Sequence, residues 1–517
     1  MNALMSSERS RVILIFAAVA ILAAGGGFYF FKIYSPAQTK KAAQEEITAW
    51  EDRFTAARSC LLGPTPASTK TSEALAIREM APDPWDRGRC TPLIGKLSRG
   101  DAPDTGLKAV EAAWVDLDHA ASKAATAFAT HIMSSTTLKQ DPLPASLDDL
   151  DATRAALRTA AGMPALQQTG KALRAAQIVP VTDGEATLKE IEVQTKPSAH
   201  GLIVFGKSRN DRDVQIALRT GTTPVVSPAT GVLRSVPDPS WGAAIGPDGI
   251  NIGMYDDKGV MVAPQAEKLA NAGIAAIVGS PSKGTVVYGS DKQLVVARVS
   301  GDAKALTVKL DPPLESSGSQ AAIDVDGRAA VVWRDAKQSH GRIFKAGPAG
   351  SPLDDEQAVD LGDNPIGATC LTSDRAWVST GTGILAFGGG KPLVMRANPF
   401  YILMGCTSDA VVMRSLDPQK PLLICTDDCR TAIMPKGAPE LAAATAVGGK
   451  LVALASHGGV LGVWREGSPA PEFFGLPEVA DPVMAQEWPA MAMSDGKVID
   501  VLARGAKGFV IIRVPAN

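Results

Sequence analysis

The sequence has almost no net charge and few aromatic residues. Its 517 residues include 52 basic and 54 acidic side chains, and neither sign forms a long block. A protein that binds nucleic acid would show a basic patch or stripe, so the charge balance argues against that class. Aromatic residues make up 5%, while 49 glycines and 36 prolines are spread along the chain. This composition is typical of a globular protein with many turns.

Histidines are scarce, and the short motifs of hydrolases are absent. None of the histidines stands in an HExxH or other metal-ligand spacing, and no G-x-S-x-G nucleophile elbow occurs. The five histidines are His119, His131, His200, His340 and His457. We interpret each of them as a surface or core residue.

Two glycine-containing stretches resemble ligand loops only in part. The run from Gly388 to Lys391 is followed by Pro392, where a phosphate loop needs Ser or Thr to bind magnesium. Asp324 and Asp326 could begin a calcium loop, but the third acid and the distant glutamate are missing. The sequence therefore predicts no catalytic, cofactor-binding or metal-binding residue, and no cofactor.

One long hydrophobic run without a charge extends from Val12 to Phe31. At 1.5 Å per residue it spans about 30 Å, the thickness of the hydrocarbon core of a bilayer. It predicts a transmembrane helix at residues 12–31, a cytoplasmic tip at 1–11, and the bulk of the chain on the periplasmic side of an inner membrane. The alternative is a cleaved signal peptide, because small residues occupy positions 23–27. A lipid anchor is excluded, since the first cysteine is Cys60.

Residues 37–180 are predicted to be helical, because apolar residues recur at spacings of three and four. The first stripe contains Ala43, Ile47, Trp50, Phe54, Ala57 and Leu61, and the second contains Leu107, Val110, Trp114, Leu117, Ala121, Ala124 and Phe128. Ser146 with Asp149 predicts the start of a third helix, which carries Leu147, Leu150 and Leu157, and Pro164 predicts the start of a fourth through Leu166 and Leu173. These helices predict a small bundle, and a coiled coil that binds a partner is the alternative.

Residues 187–517 show a strand-like period and a unit of roughly forty residues that recurs. Each unit opens with a strand of small and apolar residues, followed by a tight turn. The openings are GLIVFG (201–206), WGAAIG (241–246), IAAIVG (274–279), QAAIDV (320–325), IGATCL (366–371), YILMGC (401–406), AAATAV (442–447) and AMAM (490–493). Four short strands per unit are typical of a β-propeller. We predict eight four-stranded blades, or seven if residues 201–236 form only a cap.

The last unit contains FVIIRV (509–514) as its third strand and then ends. We predict that LKEIEV (188–193) supplies the missing fourth strand and closes the ring, which would leave no free strand edge.

The resemblance is to β-propellers as a superfold and covers residues 187–517. Units such as GTVVYGSDKQLVVARVSGDAKALTVKL (284–310) are similar to the PQQ-like repeats of the envelope propeller that assists outer-membrane protein assembly. The WD dipeptide and the sialidase Asp-box are absent from residues 187–517. The opening strands, which line the channel of a propeller, carry small residues almost without charge, and this favours binding over catalysis.

Six cysteines suggest three disulfide pairs outside the cytoplasm. The candidates are Cys60 with Cys90, Cys370 with Cys406, and Cys425 with Cys429. We therefore predict a non-catalytic envelope scaffold or recognition module that binds another envelope protein, through segments such as 335–342, 347–357 and 475–488. The alternative is a propeller hydrolase or lyase that acts on glycans or peptides in the envelope.

Overall fold

The computed structural model describes residues 35–63, 70–80, 86–100, 103–133, 141–166, 172–183, 186–187, 190–192, 201–207, 213–228, 232–234, 241–246, 249–255, 261–267, 273–278, 284–290, 293–299, 305–310, 319–323, 329–344, 355–363, 366–372, 375–380, 383–389, 393–395, 401–407, 409–415, 417, 420–438, 443–476, 480–482, 492–505 and 508–517. The predicted tip at 1–11 and transmembrane helix at 12–31 lie outside these residues. No helix within them is long and apolar enough to cross a membrane. The chain divides into a helical unit, Met1–Glu79 with Asp83–Leu173, and a β unit, Met80–Pro82 with Arg174–Asn517.

The helical part contains five α-helices and a 3-10 helix within the described residues. They are α1 Ser35–Leu62, α2 Thr71–Met80, the 3-10 helix Arg87–Cys90, α3 Thr91–Gly95, α4 Lys108–Met133 and α5 Leu143–Ala160. Both predicted stripes face one core: the first is wholly buried on α1, and the second is buried from Val110 onward with Leu107 packed at its margin.

Aromatic packing joins α1 to α4. Trp50 stacks on Phe54 with ring centroids 5.5 Å apart and meets Trp114 edge-on at 6.5 Å. The indole Nε1 of Trp50 donates to the carbonyl oxygen of Leu97 at 2.8 Å, so its polar edge is satisfied in the core. Gly63 then ends α1 with φ +54°, a conformation that glycine adopts without steric cost.

The later helices differ from the sequence prediction. The third predicted helix begins at Leu143, upstream of Ser146, whose hydroxyl donates to the carbonyl of Pro142 inside the helix. Pro142 is the N-cap residue, and the carboxylate of Asp141 just before it accepts from the amide of Leu143 at 3.0 Å. No helix begins at Pro164 within described residues 163–166, where the guanidinium of Arg158 donates to the Pro164 carbonyl. Helices α2 and α3 were not predicted.

The strands of the first half of the β unit are short and follow one another closely. They are β1 Arg174–Ala175, β2 Gln177–Pro180, β3 Thr182–Asp183, β4 Ala186–Thr187, β5 Glu190–Glu192, β6 Gly201–Lys207, β7 Asp213–Arg219, β8 Val225–Pro228, β9 Val232–Arg234, β10 Trp241–Gly246, β11 Gly249–Tyr255, β12 Met261–Glu267, β13 Gly273–Val278, β14 Gly284–Ser290, β15 Gln293–Val299 and β16 Ala305–Leu310.

The second half continues in the same way. Its strands are β17 Ser319–Ile323, β18 Ala329–Arg334, β19 Ser339–Phe344, β20 Asp355–Gly362, β21 Ile366–Leu371, β22 Arg375–Thr380, β23 Gly383–Gly388, β24 Leu393–Met395, β25 Tyr401–Cys406, β26 Val411–Ser415, β27 Leu423–Cys425, β28 Cys429–Thr431, β29 Ala443–Val447, β30 Lys450–His457, β31 Val460–Arg465, β32 Glu472–Gly475, β33 Ala480–Pro482, β34 Ala492–Ser494, β35 Val498–Gly505 and β36 Gly508–Pro515.

Apart from β1, β2 and the small β3–β4 hairpin, consecutive strands of the described residues form separate sheets, and in the last of these both β33 and β34 pair with β35. We number these sheets 1 (β5–β8), 2 (β9–β12), 3 (β13–β16), 4 (β17–β20), 5 (β21–β24), 6 (β25–β28), 7 (β29–β32) and 8 (β33–β36). The described residues of the predicted openings lie on strands, namely β6, β10, β13, β17, β21, β25, β29 and β34. A succession of small antiparallel sheets built from consecutive strands is the architecture of a β-propeller, so the β unit has this fold.

Buried side chains fill the spaces between successive sheets. One cluster contains Val332 of sheet 4 and Val378 of sheet 5, and another contains Leu454 of sheet 7 and Val501 of sheet 8. The first strands of sheets 6 and 7, β25 and β29, also approach each other closely. A Cβ at Gly405 in β25 would stand 2.9 Å from the carbonyl oxygen of Ala444 in β29. The core of this unit is therefore divided among the interfaces between sheets.

The strand that completes sheet 8 is not the predicted one. Strand β2 pairs antiparallel with β36, from Gln177 opposite Arg513 to Pro180 opposite Val510. The predicted LKEIEV segment instead contributes β5, the first strand of sheet 1, which pairs with β6. The run QIVP supplies the apolar residue Ile178, which packs against the core between sheets 7 and 8, whereas two of the three residues of β5 are glutamates. Upstream of β2, β1 pairs in parallel with β32 at the edge of sheet 7.

Candidate functional site

All six cysteines are disulfide-bonded in the three pairs that the sequence suggested. The bonds are Cys60–Cys90, Cys370–Cys406 and Cys425–Cys429. The first joins α1 to the 3-10 helix, and the second joins β21 to β25 and so links sheets 5 and 6. The third connects residues that stand directly opposite each other on β27 and β28. Two of the three bonds therefore constrain sheet 6.

The segments predicted to project as binding loops are only partly described. Residues 335–342 do not form a loop: Asp335 to Gln338 make a tight turn, and β19 begins at Ser339. The segment 347–357 runs into β20 at Asp355, and 475–488 includes the short strand β33; their remaining residues, apart from Gly475 and Leu476, lie outside the described residues. The calcium-loop candidates Asp324 and Asp326 also lie outside them.

His340 stands between two carboxylates. Its Nδ1 is 2.9 Å from Asp360 Oδ1, its Nε2 is 3.0 Å from Asp335 Oδ2, and its ring stacks on Trp333 at 5.4 Å. Backbone amides of Gln338 and Lys337, followed by the bond to His340, lower the pKa of Asp335 to about 2. Both ring nitrogens of His340 are therefore engaged by carboxylates of the protein itself. Within the described part of the chain, no cluster of His, Cys, Asp or Glu has the arrangement of a metal site.

The innermost strands of sheets 5 to 8 carry few reactive side chains at their described positions. Strands β21, β25, β29 and β34 present buried, mostly small residues, and no carboxylate, amine or imidazole occurs among their described positions. A catalytic site on the axis would need such groups to converge.

An apolar patch of two residues lies on the surface of sheet 6. Among the large hydrophobic side chains described in the β unit, Ile433 and Met434 are the exposed ones, at 70% and 38%. They follow β28 directly along the chain. Strand β28 ends at Thr431. The amide of Ala432 still donates to the carbonyl oxygen of Leu422 at 2.8 Å, and the chain then continues to a turn at Lys436 and Gly437.

Glu466, in the turn after β31, fixes the position of this patch. Its two carboxylate oxygens accept from the guanidinium of Arg430 at 2.8 Å each, and they also accept from the amides of Ile433 at 3.2 Å and Leu451 at 2.8 Å. The Arg430 bond is the largest of the causes that lower the pKa of Glu466 to about 2. One carboxylate therefore ties the segment after β28 to sheet 7, and the apolar patch is held in a fixed orientation.

The other end of the β27–β28 hairpin is also fixed. The Cys425–Cys429 bond closes the turn that contains the exposed residues Asp427 and Asp428. Arg375 of sheet 5 donates from Nη1 to the carbonyl oxygen of Asp427 at 2.7 Å. Sheet 6 thus presents a rigid hairpin with two acids at its turn and the apolar patch at its opposite end, an arrangement suited to binding.

We expect Glu466→Ala to lower the free energy of unfolding of the β unit by about 2 kcal/mol, because a nearly buried carboxylate that accepts four hydrogen bonds is lost. The pKa of Glu466 is lowered in the folded protein, so its contribution is complete above the ordinary glutamate pKa and disappears as the pH falls towards 2. Urea unfolding of both proteins at pH 7 and pH 2.5 measures the difference.

Glu472→Ala is the matched control, since Glu472 is an exposed glutamate of the same sheet that pairs with Arg465 at 3.1 Å. An exposed pair of this kind contributes about 0.5 kcal/mol. Equal losses in the two variants would contradict the role assigned to Glu466.

No family model matches the sequence, and no curated protein matches it. Solved structures with a similar fold include the WD40 domain of SCAP from fission yeast, with a TM-score of 0.39, 9% identity, and coverage of 66% of this chain and 94% of that chain. Hsv2 from Kluyveromyces lactis has a TM-score of 0.30 and 11% identity, and covers 64% and 100%. A prolyl endopeptidase has a TM-score of 0.35 and 12% identity, and covers 64% and 48%. Similarity at this level carries no information about function.

Proposed function

We propose that this chain is a membrane-anchored, non-catalytic scaffold or protein-recognition module of the cell envelope, built on an eight-bladed β-propeller. The blades correspond to sheets 1 to 8, and the β2–β36 pairing is the contact expected where such a ring closes. The partner is another envelope protein and not a nucleic acid, in agreement with the balanced charge of the chain.

The observation that carries the proposal is the apolar patch. Exposure of the Ile433 side chain to water is unfavourable, and contact with a partner would bury it. Exposed apolar side chains on a rigid scaffold are typical of protein interfaces. The Glu466 and Arg430 bonds hold the patch in place before a partner arrives, which reduces the entropy lost on binding.

The compartment is inferred from two further observations. Three disulfides favour an oxidising environment such as the periplasm. The uncharged run at 12–31 is long enough to serve as the anchor, with residues 1–11 in the cytoplasm.

The test places the photo-crosslinking amino acid p-benzoylphenylalanine at Ile433 in the full chain, with the same substitution at exposed Lys497 of sheet 8 as the control. Irradiation of intact cells is expected to give one discrete adduct from position 433 and none from 497. The chain should fractionate with membranes and retain Met1. Mass spectrometry identifies the partner in the adduct.

Three outcomes would overturn the proposal. Adducts at both positions, or at neither, would show that the patch is not a specific interface. A soluble chain that begins near Gly25 would remove the anchor. Hydrolysis or lyase cleavage of a glycan or peptide library by the purified chain would establish the enzyme alternative.

A further inference from the structure

Strand β28 is the outermost strand of sheet 6. Within the described residues it pairs only with β27, so its other side carries no strand. Arg430 and Thr431 are exposed and Cys429 is half-buried, which means that this outer side faces solvent. We refer to the outer side of residues 429–431 as the sheet 6 edge.

The hydrogen bonds of the β27–β28 hairpin show which backbone groups point outward. The amide of Ala432 donates to the carbonyl oxygen of Leu422 at 2.8 Å, and the amide of Thr426 donates to the carbonyl oxygen of Asp428 at 3.0 Å. Backbone groups of successive residues point to opposite sides of an antiparallel strand. Positions 428, 430 and 432 therefore bond inward to β27, and positions 429 and 431 direct their backbone groups outward.

The outward groups can pair with another strand, but they are few. Cys429 presents its N–H and its C=O at the sheet 6 edge, and Thr431 presents its N–H. The C=O of Thr431 already accepts from Arg430 Nη1 at 3.2 Å, and the next outward amide, that of Ile433, donates to Glu466. Three backbone bonds give little affinity, so a strand that adds here needs further contacts at both ends of the edge.

Suitable contacts lie at both ends. The exposed side chains of Asp427 and Asp428 precede the sheet 6 edge, and the apolar patch of Ile433 and Met434 follows it. Arg375 binds the carbonyl oxygen of Asp427, and this bond does not occupy the carboxylate. Residues 428 and 433 are five positions apart, which corresponds to about 17 Å of extended chain. An extended segment of about six residues therefore reaches from the acids to the patch.

The neighbouring sheets show that outer edges of the β unit accept an added strand. Strand β1 pairs in parallel with β32 as a fifth strand of sheet 7, and the amide of Ala176 donates to the carbonyl oxygen of Gly475 at 2.9 Å. Strand β2 pairs with β36 at the outer edge of sheet 8. Both added strands come from residues 174–180, far from their partners in the chain. Sheet 6 has no such strand in the part of the chain that the structure describes.

We propose that the sheet 6 edge binds an extended segment of the partner protein, which adds to β28 as a fifth strand of sheet 6. An apolar side chain of the segment packs on Ile433 and Met434, and a lysine or arginine lies beside Asp427 and Asp428. Exposed Lys436 follows the patch and repels a basic side chain there, so the basic end of the segment lies at the acids. This binding mode rests on the function proposed above and specifies the chemistry of its partner.

The test removes one outward N–H and leaves the hairpin unchanged. Thr431→Pro loses the amide proton that points away from β27, and an edge strand tolerates proline at such a position. Thr431→Val keeps the N–H and nearly the shape of threonine, so it is the matched control. Both changes are made in the full chain that carries p-benzoylphenylalanine at position 433. Urea unfolding should give the same midpoint for the two variants.

Irradiation of intact cells should give the adduct in the unmodified background and in Thr431→Val. The yield should be about tenfold lower in Thr431→Pro, because a backbone bond to the partner is lost and the ring collides with the added strand. Equal yields in the proline and valine variants, or the same loss in both, would overturn strand addition without affecting docking on the patch. No adduct in the unmodified background would overturn the proposed function, and strand addition with it.

A charge variant keeps the test decisive if Thr431→Pro unfolds early. Asp427→Asn with Asp428→Asn should lower the adduct yield about threefold, whereas Asp363→Asn, at an acid beside sheet 4 that is 86% exposed, should leave it unchanged. Tandem mass spectrometry of the adduct should find a lysine or arginine about four to seven residues from the crosslinked position. Equal yields in the two charge variants, or a crosslinked segment without a basic residue in that range, would overturn the proposal.

Discussion

Asp500→Ala is expected to lower the free energy of unfolding of the β unit by about 3–5 kcal/mol. Asp500 is 2% exposed, and its Oδ1 accepts from Arg513 Nε at 2.7 Å. Its Oδ2 accepts from Arg513 Nη2 at 2.9 Å and from the amide of Gly221 at 2.9 Å. Arg513 also donates from Nη2 to the carbonyl oxygen of Thr222 at 2.6 Å. The alanine variant leaves a largely buried guanidinium without its anion, which is the most costly way to break such a pair.

The position of this ion pair adds to the expected loss. Asp500 and Arg513 lie on β35 and β36 of sheet 8, whereas Gly221 and Thr222 lie in the turn between β7 and β8 of sheet 1. The pair therefore joins the first sheet in the chain to the last, and its loss weakens the contact between them as well as sheet 8 itself.

Urea unfolding followed by tryptophan fluorescence measures the change. Asp427→Ala, at an exposed aspartate of sheet 6, is the control and should stay within about 0.5 kcal/mol of the unmodified chain. The double variant Asp500→Leu with Arg513→Met should recover much of the loss, because no unpaired charge remains. A loss below about 1 kcal/mol in Asp500→Ala would contradict the assignment.

The second large effect is expected from removing the disulfide between sheets 5 and 6. Replacing both Cys370 and Cys406 by alanine should lower the free energy of unfolding by about 4 kcal/mol, because the bond closes a loop across a separation of 36 residues and so restricts the unfolded chain. Both residues are completely buried, so water and reductants reach them only after the interface between the sheets opens.

The Cys425→Ala, Cys429→Ala variant is the matched control. Its bond spans a separation of only four residues, for which the same relation gives about 2 kcal/mol. Guanidinium unfolding without reductant compares the two variants with the parent chain. If removal of the short loop costs as much as removal of the long one, loop closure is not the source of the stabilisation.

The elements that could be predicted from the sequence are those whose signal is local and periodic. The stripe from Ala43 to Leu61 predicted α1, because a face buried along its whole length must repeat at the helical period. The eight openings were recognised as strands for a similar reason, since small and apolar residues followed by a tight turn recur there at regular intervals.

The elements that were missed depend on partners far away in the chain. Residues 177–180 were predicted to be part of the helical segment 37–180. The run QIVP contains only two aliphatic residues and has no period of its own, so the sequence does not indicate that it pairs with β36. Ile433 lies outside the segments that were predicted to bind a partner, since the sequence does not reveal that Glu466 binds its amide and holds it at the surface. Both errors concern hydrogen bonds between distant residues, which short-range patterns do not encode.

The pairing of β2 with β36 also constrains the order in which the β unit can fold. As the ribosome releases the chain from its N-terminus, β2 emerges with residues 177–180, but its partner follows only with residues 508–515. Intermediate sheets can form from neighbouring strands as they appear, whereas sheet 8 stays incomplete until residues 508–515 have been made. Pairing of two strands so far apart in the sequence is slow. During that interval the unpaired edges of the strands made earlier can form incorrect pairs. Protection of the nascent β unit by chaperones is therefore needed most just before its final strand is made.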